Sequence, residues 1–310
     1  MKSSRLFRPL APTLLATATL LLALPMHARA ADVAREAEAL RETVALANGM
    51  TLGYIELGDP KNPPLIYLHG ITNSSLGYMP LGRQLARDFH VFLLDMRGHG
   101  ASDKPECCYS RIDFAYDVKL FLDRFGIERA DIVGHSLGSI VAHTFAAYWP
   151  QRTRQLVLIA STLGPRSPAS PDAPRPAPLL GAWDAEIRKL QDPIYPDSAF
   201  MRSWWTVEGL DPAIQSMMRR ESARIPASVW RAMLDQVASS PDLRMTVDWI
   251  QAPTLLMFGG KDSLFGPAER EELIAWMPKA KVALYPDLGH SLPEESPVVI
   301  AAGLREFLLH

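Results

Sequence analysis

Residues 132–139 read Ile-Val-Gly-His-Ser-Leu-Gly-Ser, with Gly134-His135-Ser136-Leu137-Gly138 at the centre. An apolar run enters this stretch from Ala130, and the run Ile140–Tyr148 leaves it with helical composition. The pattern predicts a strand, a very sharp turn and a helix, with Ser136 at the tip of the turn. A Cβ at Gly134 or Gly138 would meet neighbouring backbone, so the turn requires glycine there. The following helix aims its amide-rich N-terminus at whatever binds at the serine. Ser136 is therefore the candidate nucleophile. Five residues with three fixed also recur by chance, so the reading depends on partners elsewhere in the chain.

Outward from the turn, short apolar runs alternate with helical stretches. Pro64–Leu68, His90–Leu94 and Pro253–Phe258 read as strands buried on both faces, and Ala130–Gly134, Gln155–Ser161 and Lys281–Tyr285 as further strands of the same rhythm. Leu76–Asp88, Ile112–Phe125, Ser136–Trp149 and Ala268–Trp276 read as helices, and Ser296-Pro297 opens another. This alternation predicts a doubly wound α/β sheet. Before it, two alternating runs flank Asn48-Gly49, which predicts a tight hairpin with positive φ at both central residues.

The rhythm breaks between Leu163 and about Asp248. Residues 164–178 hold six prolines and cannot form regular structure. Helices are predicted over Asp197–Trp205, Asp211–Arg224 and Pro226–Ser239, the middle one with a cap and first-turn proline in Asp211-Pro212. The segment 164–248 reads as a helical insertion, and 31–163 with 249–310 as the core. Trp183, Met201, Trp204 and Trp205 lie in the insertion as candidate pocket residues, with a small core of its own as the competing role.

A serine hydroxyl needs a base, and the base needs an orienting acid. In an open α/β sheet such groups gather at the carboxyl ends of strands. Asp262 follows one late strand and His290 the last, giving the order Ser136, Asp262, His290. Asp287 is the rival acid, expected to point elsewhere from the same loop. His135, His69, His99 and His143 are read as structural, and Glu294 and Glu295 as a solvated turn leading into a helix.

Five pieces in this order carry a resemblance: His69-Gly70, Asp95-Met96-Arg97-Gly98-His99-Gly100-Ala101-Ser102, the serine turn, Gly260-Lys261-Asp262 and Gly289-His290. Over almost the whole length after residue 30 the chain resembles the α/β-hydrolase superfamily. The resemblance implies an eight-stranded, mostly parallel sheet with helices on both faces and a helical cap between strands six and seven. It assigns Ser136 as nucleophile, His290 as base and Asp262 as acid, with the backbone N–H groups of Ile71 and Leu137 as the oxyanion hole. The serine sets the chain apart from the aspartate-nucleophile dehalogenases and epoxide hydrolases of that fold. The expected activity is a carboxylesterase-like cleavage of a small to medium apolar substrate. A lactonase, amidase, carbon–carbon bond hydrolase, cofactor-free perhydrolase or interfacial lipase would use the same three residues, and a non-catalytic ligand-binding protein would not need them. No metal or organic cofactor is expected.

The bulk properties agree with a globular enzyme. Of 310 residues, 48% are hydrophobic and 21% charged, and a net charge of −2 without long runs of one sign excludes a nucleic-acid surface. Lys2, Arg5 and Arg8, the apolar Leu14–Leu24 and the small-residue pattern Ala28-Arg29-Ala30 read as a secretory signal peptide cut after Ala30. Removing its four cations takes the charge from −2 to −6 and leaves no membrane anchor, so a periplasmic or secreted protein acting on a small molecule is expected. Cys107 and Cys108 are the chain's two cysteines. Adjacent thiols make a strained ring and a poor staple, so they read as loop thiols without a catalytic role, with a vicinal disulfide as the alternative.

Overall fold

A computed structural model describes residues 36–164, 180–207, 209–238 and 242–310. The expected signal peptide and nearly all of the proline-rich lead-in fall outside them.

Eight strands form one sheet: β1 Arg41–Ala45, β2 Thr51–Leu57, β3 Pro64–Leu68, β4 His90–Asp95, β5 Ala130–His135, β6 Thr153–Ile159, β7 Thr254–Gly259 and β8 Lys281–Tyr285. Their spatial order is β1-β2-β4-β3-β5-β6-β7-β8. β2 pairs antiparallel with β1 and β4, and every later pairing is parallel. The strands read as continuous apolar runs are the central ones. In β5 and β7 all six residues are buried, because crossover helices cover both faces. The edge strand β8 is only half-buried.

The helices of the core are α1 Met79–Leu85, α2 Arg111–Arg124 and α3 Leu137–Tyr148. Between β6 and β7 the chain makes α4 Trp183–Arg188, α5 Ala199–Trp204, α6 Pro212–Ala223 and α7 Ala227–Ala238. Then follow α8 Pro267–Trp276, α9 Leu292–Glu295 and α10 Pro297–Leu308. Ser110 starts α2 with a capping box, accepting from the Asp113 N–H while the Asp113 carboxylate accepts from Ser110. In the insertion, Asp211 caps α6 by accepting from the Ala213 N–H at 2.7 Å.

Two expectations about local secondary structure change. Only Gly49 of the β1–β2 turn has positive φ, at 85°. Asn48 instead accepts the Met50 N–H on its side-chain oxygen at 3.1 Å, and that bond takes over the job of a left-handed second residue. Leu76–Asp88 is not one helix. A 3-10 turn at Ser75–Tyr78 precedes α1, since Pro80 fits only a helix's first turn.

The insertion is tied to the first strand by a buried ion pair. Arg41 of β1 reaches Glu221 of α6 at 2.6 Å, with both side chains about 5% exposed. The Arg41 guanidinium also lies 3.3 Å from Asp95 at the end of β4. Cys107 and Cys108 are joined as a vicinal disulfide, the alternative arrangement, and Cys108 has φ 74°. Their loop is held to the core by Arg97, which donates to the Cys108 carbonyl at 2.6 Å. Among the described residues no helix is long and apolar enough to cross a membrane.

Candidate active site

The turn after β5 has the expected sharpness. Ser136 stands at φ 52° and ψ −117°, a strained conformation for a residue with a side chain, costing about 1–3 kcal/mol. The cost is met by bonds on both sides. The Ser136 N–H donates to the Ile159 carbonyl at 2.9 Å, and the Ser136 carbonyl accepts from the Ser139 N–H at 2.9 Å and the Ser139 hydroxyl at 2.6 Å. A Cβ on Gly134 would lie 2.1 Å from the Gly138 oxygen, and one on Gly138 would lie 2.1 Å from the Leu68 oxygen. Both glycines are therefore steric requirements of the serine's position.

The loops after β7 and β8 are sutured together. Gly260 donates to the Tyr285 carbonyl at 2.8 Å and Lys261 to the Leu288 carbonyl at 2.9 Å. Gly259 packs so closely that a Cβ would lie 2.1 Å from the Gly289 oxygen. This suture places Asp262 beside His290. His290 Nδ1 lies 2.9 Å from Asp262 Oδ2, and His290 Nε2 lies 2.9 Å from Ser136 Oγ. A carboxylate accepts, so Nδ1 carries the proton and Nε2 offers its lone pair to the serine hydroxyl. The other Asp262 oxygen accepts from the N–H groups of Leu264 at 2.8 Å and Phe265 at 2.9 Å. Burial alone would raise the Asp262 pKa. The hydrogen bond and charge of His290, with the two amides, outweigh it and hold the carboxyl below its ordinary range. Asp287 sits on the β8 loop with its side chain 91% exposed, 3.9 Å from Lys261, and does not approach His290.

The other histidines take structural places. His135 Nε2 donates to the His290 carbonyl at 2.8 Å, and its Nδ1 meets the Tyr78 hydroxyl at 2.7 Å. Burial first, and the neighbouring His290 second, push the His135 imidazole down to about 3. It stays neutral and braces the His290 backbone without placing a second cation beside the site. His69 Nε2 accepts the Met96 N–H at 3.0 Å, and His99 Nε2 accepts the Thr72 N–H at 3.1 Å. His143 is buried against Thr246.

Glu294 and Glu295 do not form a solvated turn. Glu294 is buried, its Oε1 accepting from Asn73 at 2.9 Å while its Oε2 has no partner. Glu295 accepts the Gly289 N–H at 2.8 Å and so fixes the residue before His290. The short helix α9 turns both carboxyls inward, which the two adjacent acids in the sequence did not suggest.

The proposed oxyanion donors lie around the same serine. Leu137 is the first residue of α3, and Ile71 follows Gly70, whose added Cβ would lie 3.4 Å from Ser136 Cβ. Among the described residues neither N–H meets a protein acceptor. Gly70 is held by the Tyr78 hydroxyl, which accepts its N–H at 3.2 Å. Thr72 has φ 63° and accepts the Trp204 indole N–H on Oγ1 at 2.8 Å. Trp204 also packs on Trp183, Phe200 and Trp230, with ring centroids 5.2, 6.0 and 5.3 Å away. Of the four candidate pocket residues, Trp183 and Trp204 are half-buried at this turn, whereas Met201 and Trp205 are buried inside the insertion. Sequence reading missed Tyr78, Thr72 and Ser222. A serine on the apolar face of α6 is the one signal it offered. Among the described residues no group of three or more His, Cys, Asp or Glu side chains is placed to hold a metal ion.

A serine on a strand-to-helix turn, with its histidine and aspartate at later strand ends, is the arrangement of nucleophile-elbow proteins. The chain belongs to the α/β hydrolase fold family, whose model matches residues 63–297. It is 26% identical over 284 residues to a putative 2-succinyl-6-hydroxy-2,4-cyclohexadiene-1-carboxylate synthase of Bacillus subtilis, covering 86% of this chain and 97% of that one. It is 27% identical over 273 residues to a 2-(acetamidomethylene)succinate hydrolase of Mesorhizobium japonicum, covering 84% and 92%. A hydrolase structure from Pseudomonas aeruginosa PA01 superposes with a TM-score of 0.73 at 25% identity, covering 86% of this chain and 98% of that one.

Proposed function

We propose that the protein is a serine hydrolase that cleaves a carboxylic ester of a small to medium, largely apolar substrate through an acyl-enzyme. The observation that carries this reading is the pair of 2.9 Å contacts linking Ser136 Oγ, His290 and Asp262. His290 Nε2 takes the serine proton as Oγ attacks the ester carbonyl. Leu137 and Ile71 N–H groups donate to the oxyanion, each such donor contributing about 100–1000-fold in rate. His290 then returns the proton to the departing alkoxide, leaving an acyl-serine. Water attacks that ester with His290 as base again, releasing the acid and restoring Ser136. Asp262 keeps the productive tautomer and offsets the imidazolium charge.

The insertion serves as a cap in this reading. Its Trp183, Phe200 and Trp204 rings, gathered at the Ile71–Thr72 turn, favour an apolar acyl or alcohol group. A fluorophosphonate probe should label Ser136 in the purified protein, and Ser136→Ala should abolish both labelling and hydrolysis of soluble short-chain esters. A panel of esters, lactones, amides and 1,3-diketones decides the scissile bond. Turnover confined to the diketones would replace the ester reading with carbon–carbon cleavage, and a protein that neither labels nor turns over any of them would refute the serine mechanism.

The same proposal places the enzyme outside the cytoplasm. The basic and apolar N-terminal stretch and the Cys107–Cys108 disulfide support it. Recovery from a periplasmic fraction of a chain beginning at Ala31 is the expected result; a chain retained in the cytosol with its first thirty residues intact would refute it.

A further inference from the structure

Thr72 is gripped at every polar group it has. Its N–H donates to His99 Nε2 at 3.1 Å. Its Oγ1 accepts from the Trp204 indole at 2.8 Å, and its carbonyl accepts from the Ser222 hydroxyl at 2.6 Å. Ser222 is itself fixed, since its oxygen accepts from the Trp205 indole at 2.6 Å. One of these partners belongs to the core turn after β4. The other three come from α5, the residue that ends it, and α6 of the insertion.

The residue so held is fully buried and stands at φ 63°. That conformation disfavours a β-branched side chain by about 1–3 kcal/mol and persists only where the surroundings over-determine it. Immediately before it lies Ile71, and before that Gly70, fixed by Tyr78 at 3.2 Å and pressed against Ser136. The peptides on both sides of Ile71 are pinned, the first through the Gly70 carbonyl, which accepts from His69 Nδ1 at 2.7 Å and from the Asn73 N–H at 3.2 Å, and the second through the Thr72 N–H, while the Ile71 N–H itself has no acceptor among the described residues.

We propose that Thr72 is a positioning residue through which the insertion, by way of Trp204 and Ser222, sets the Ile71 amide where it donates to the oxyanion. This rests on the serine-hydrolase reading. The insertion then supplies more than a wall over the substrate: without its two hydrogen bonds the strained Thr72 relaxes and the donor set is left incomplete. Such a contact acts in the transition state, so losing it lowers kcat and spares KM. A bond that only stabilised the fold would not produce that split.

The experiment uses the full exported chain with a soluble p-nitrophenyl ester and, separately, a trifluoromethyl ketone, which forms a tetrahedral oxyanion adduct on serine. Thr72→Val removes the acceptor for Trp204 and keeps the shape. Ser222→Ala removes the donor to the Thr72 carbonyl. Thr72→Ser keeps the acceptor. The first two should each lower kcat by about 10–100-fold, as a donor displaced by a fraction of an ångström does. KM should stay within about twofold, and trifluoromethyl ketone affinity should fall by the same factor as kcat. Thr72→Ser should return close to wild type. Trp204→Phe should add no further kcat loss to Thr72→Val, because both remove one bond.

Unchanged kcat and ketone affinity in Thr72→Val and Ser222→Ala would overturn the proposal, as would a rise in KM alone. Should Thr72→Val fail to fold by circular dichroism, Ser222→Ala decides. A wild type that labels at Ser136 while both variants match it sinks the positioning role alone. A wild type that neither labels nor hydrolyses an ester sinks the serine-hydrolase reading, and this inference with it.

Discussion

Glu294 gives the structure's most quantitative consequence for stability. Its carboxyl is buried behind the His290 loop, with Asn73 hydrogen-bonded to Oε1, the Tyr78 hydroxyl beside it, and no hydrogen-bond partner on Oε2. The neighbouring Tyr67 hydroxyl is likewise buried and unpartnered. Burial raises the Glu294 pKa from 4.5 to about 8; the charge of Glu295 adds to the rise, and Tyr78 and Asn73 oppose it without reversing it. The folded protein therefore holds a proton that the unfolded chain gives up at a much lower pH. A raised folded pKa contributes stability that is fully present below pH 4.5 and is lost as pH rises through about 8. At about 1.4 kcal/mol per unit, the loss across that window is on the order of 5 kcal/mol. Glu294→Gln mimics the neutral acid and has no proton to lose. Urea unfolding of both proteins at pH 5, 7 and 9 should show near-equal stability at pH 5 and a growing advantage of the variant toward pH 9. A difference between the two that is constant from pH 5 to pH 9 would refute the reasoning, because it would mean that Glu294 is already ionised in the fold.

Other perturbations probe separate parts of the molecule. Asp262→Asn should cost about 10⁴-fold in kcat by favouring the wrong His290 tautomer, while the exposed Asp287→Asn stays near wild type; the reverse result in ester assays would reassign the acid. Gly138→Ala puts a Cβ 2.1 Å from the Leu68 oxygen and should give insoluble protein, checked by soluble yield against Gly266→Ala, whose added Cβ meets only the Glu269 carboxylate at an ordinary 3.6 Å. Glu221→Gln uncouples α6 from Arg41 and should lower stability by about 2–4 kcal/mol in urea titrations, since the guanidinium stays buried with Asp95 as its near partner.

Much of this architecture is legible in the residues because hard constraints write it there. Pro64–Leu68 and Lys281–Tyr285 are strands with the predicted bounds, since turn residues close each apolar run on both sides. Gly134, Gly138 and Gly259 mark the places where backbone passes within 2.1 Å of where a Cβ would be. Asp262 and His290 follow from their places at strand ends, and the sequence order of the three site residues needs no coordinates. What stays hidden depends on the folded chain's long-range contacts. The Tyr78 hydroxyl meets a ring 57 positions away, and Ser222 meets a carbonyl 150 positions away. Neither bond has a local pattern to announce it, beyond the place of Ser222 on the apolar face of α6. Glu294 and Glu295 mislead for a related reason: two adjacent acids read as solvent-facing until Asn73 and the Gly289 amide are seen to claim them. Helix α4 follows a proline-rich run and has only six residues, too few for periodicity to show.

The Arg41–Glu221 pair has a bearing on protein engineering. Exchanging the segment between β6 and β7 for that of a relative is an obvious route to new substrate preference. In this chain that cassette is not separable. A graft lacking an acid at the Glu221 position would take from the buried Arg41 guanidinium its 2.6 Å partner and leave it Asp95 at 3.3 Å, far in sequence from the exchanged segment. A transplanted segment would therefore need to carry its carboxylate with it, or be accompanied by a neutral residue in place of Arg41.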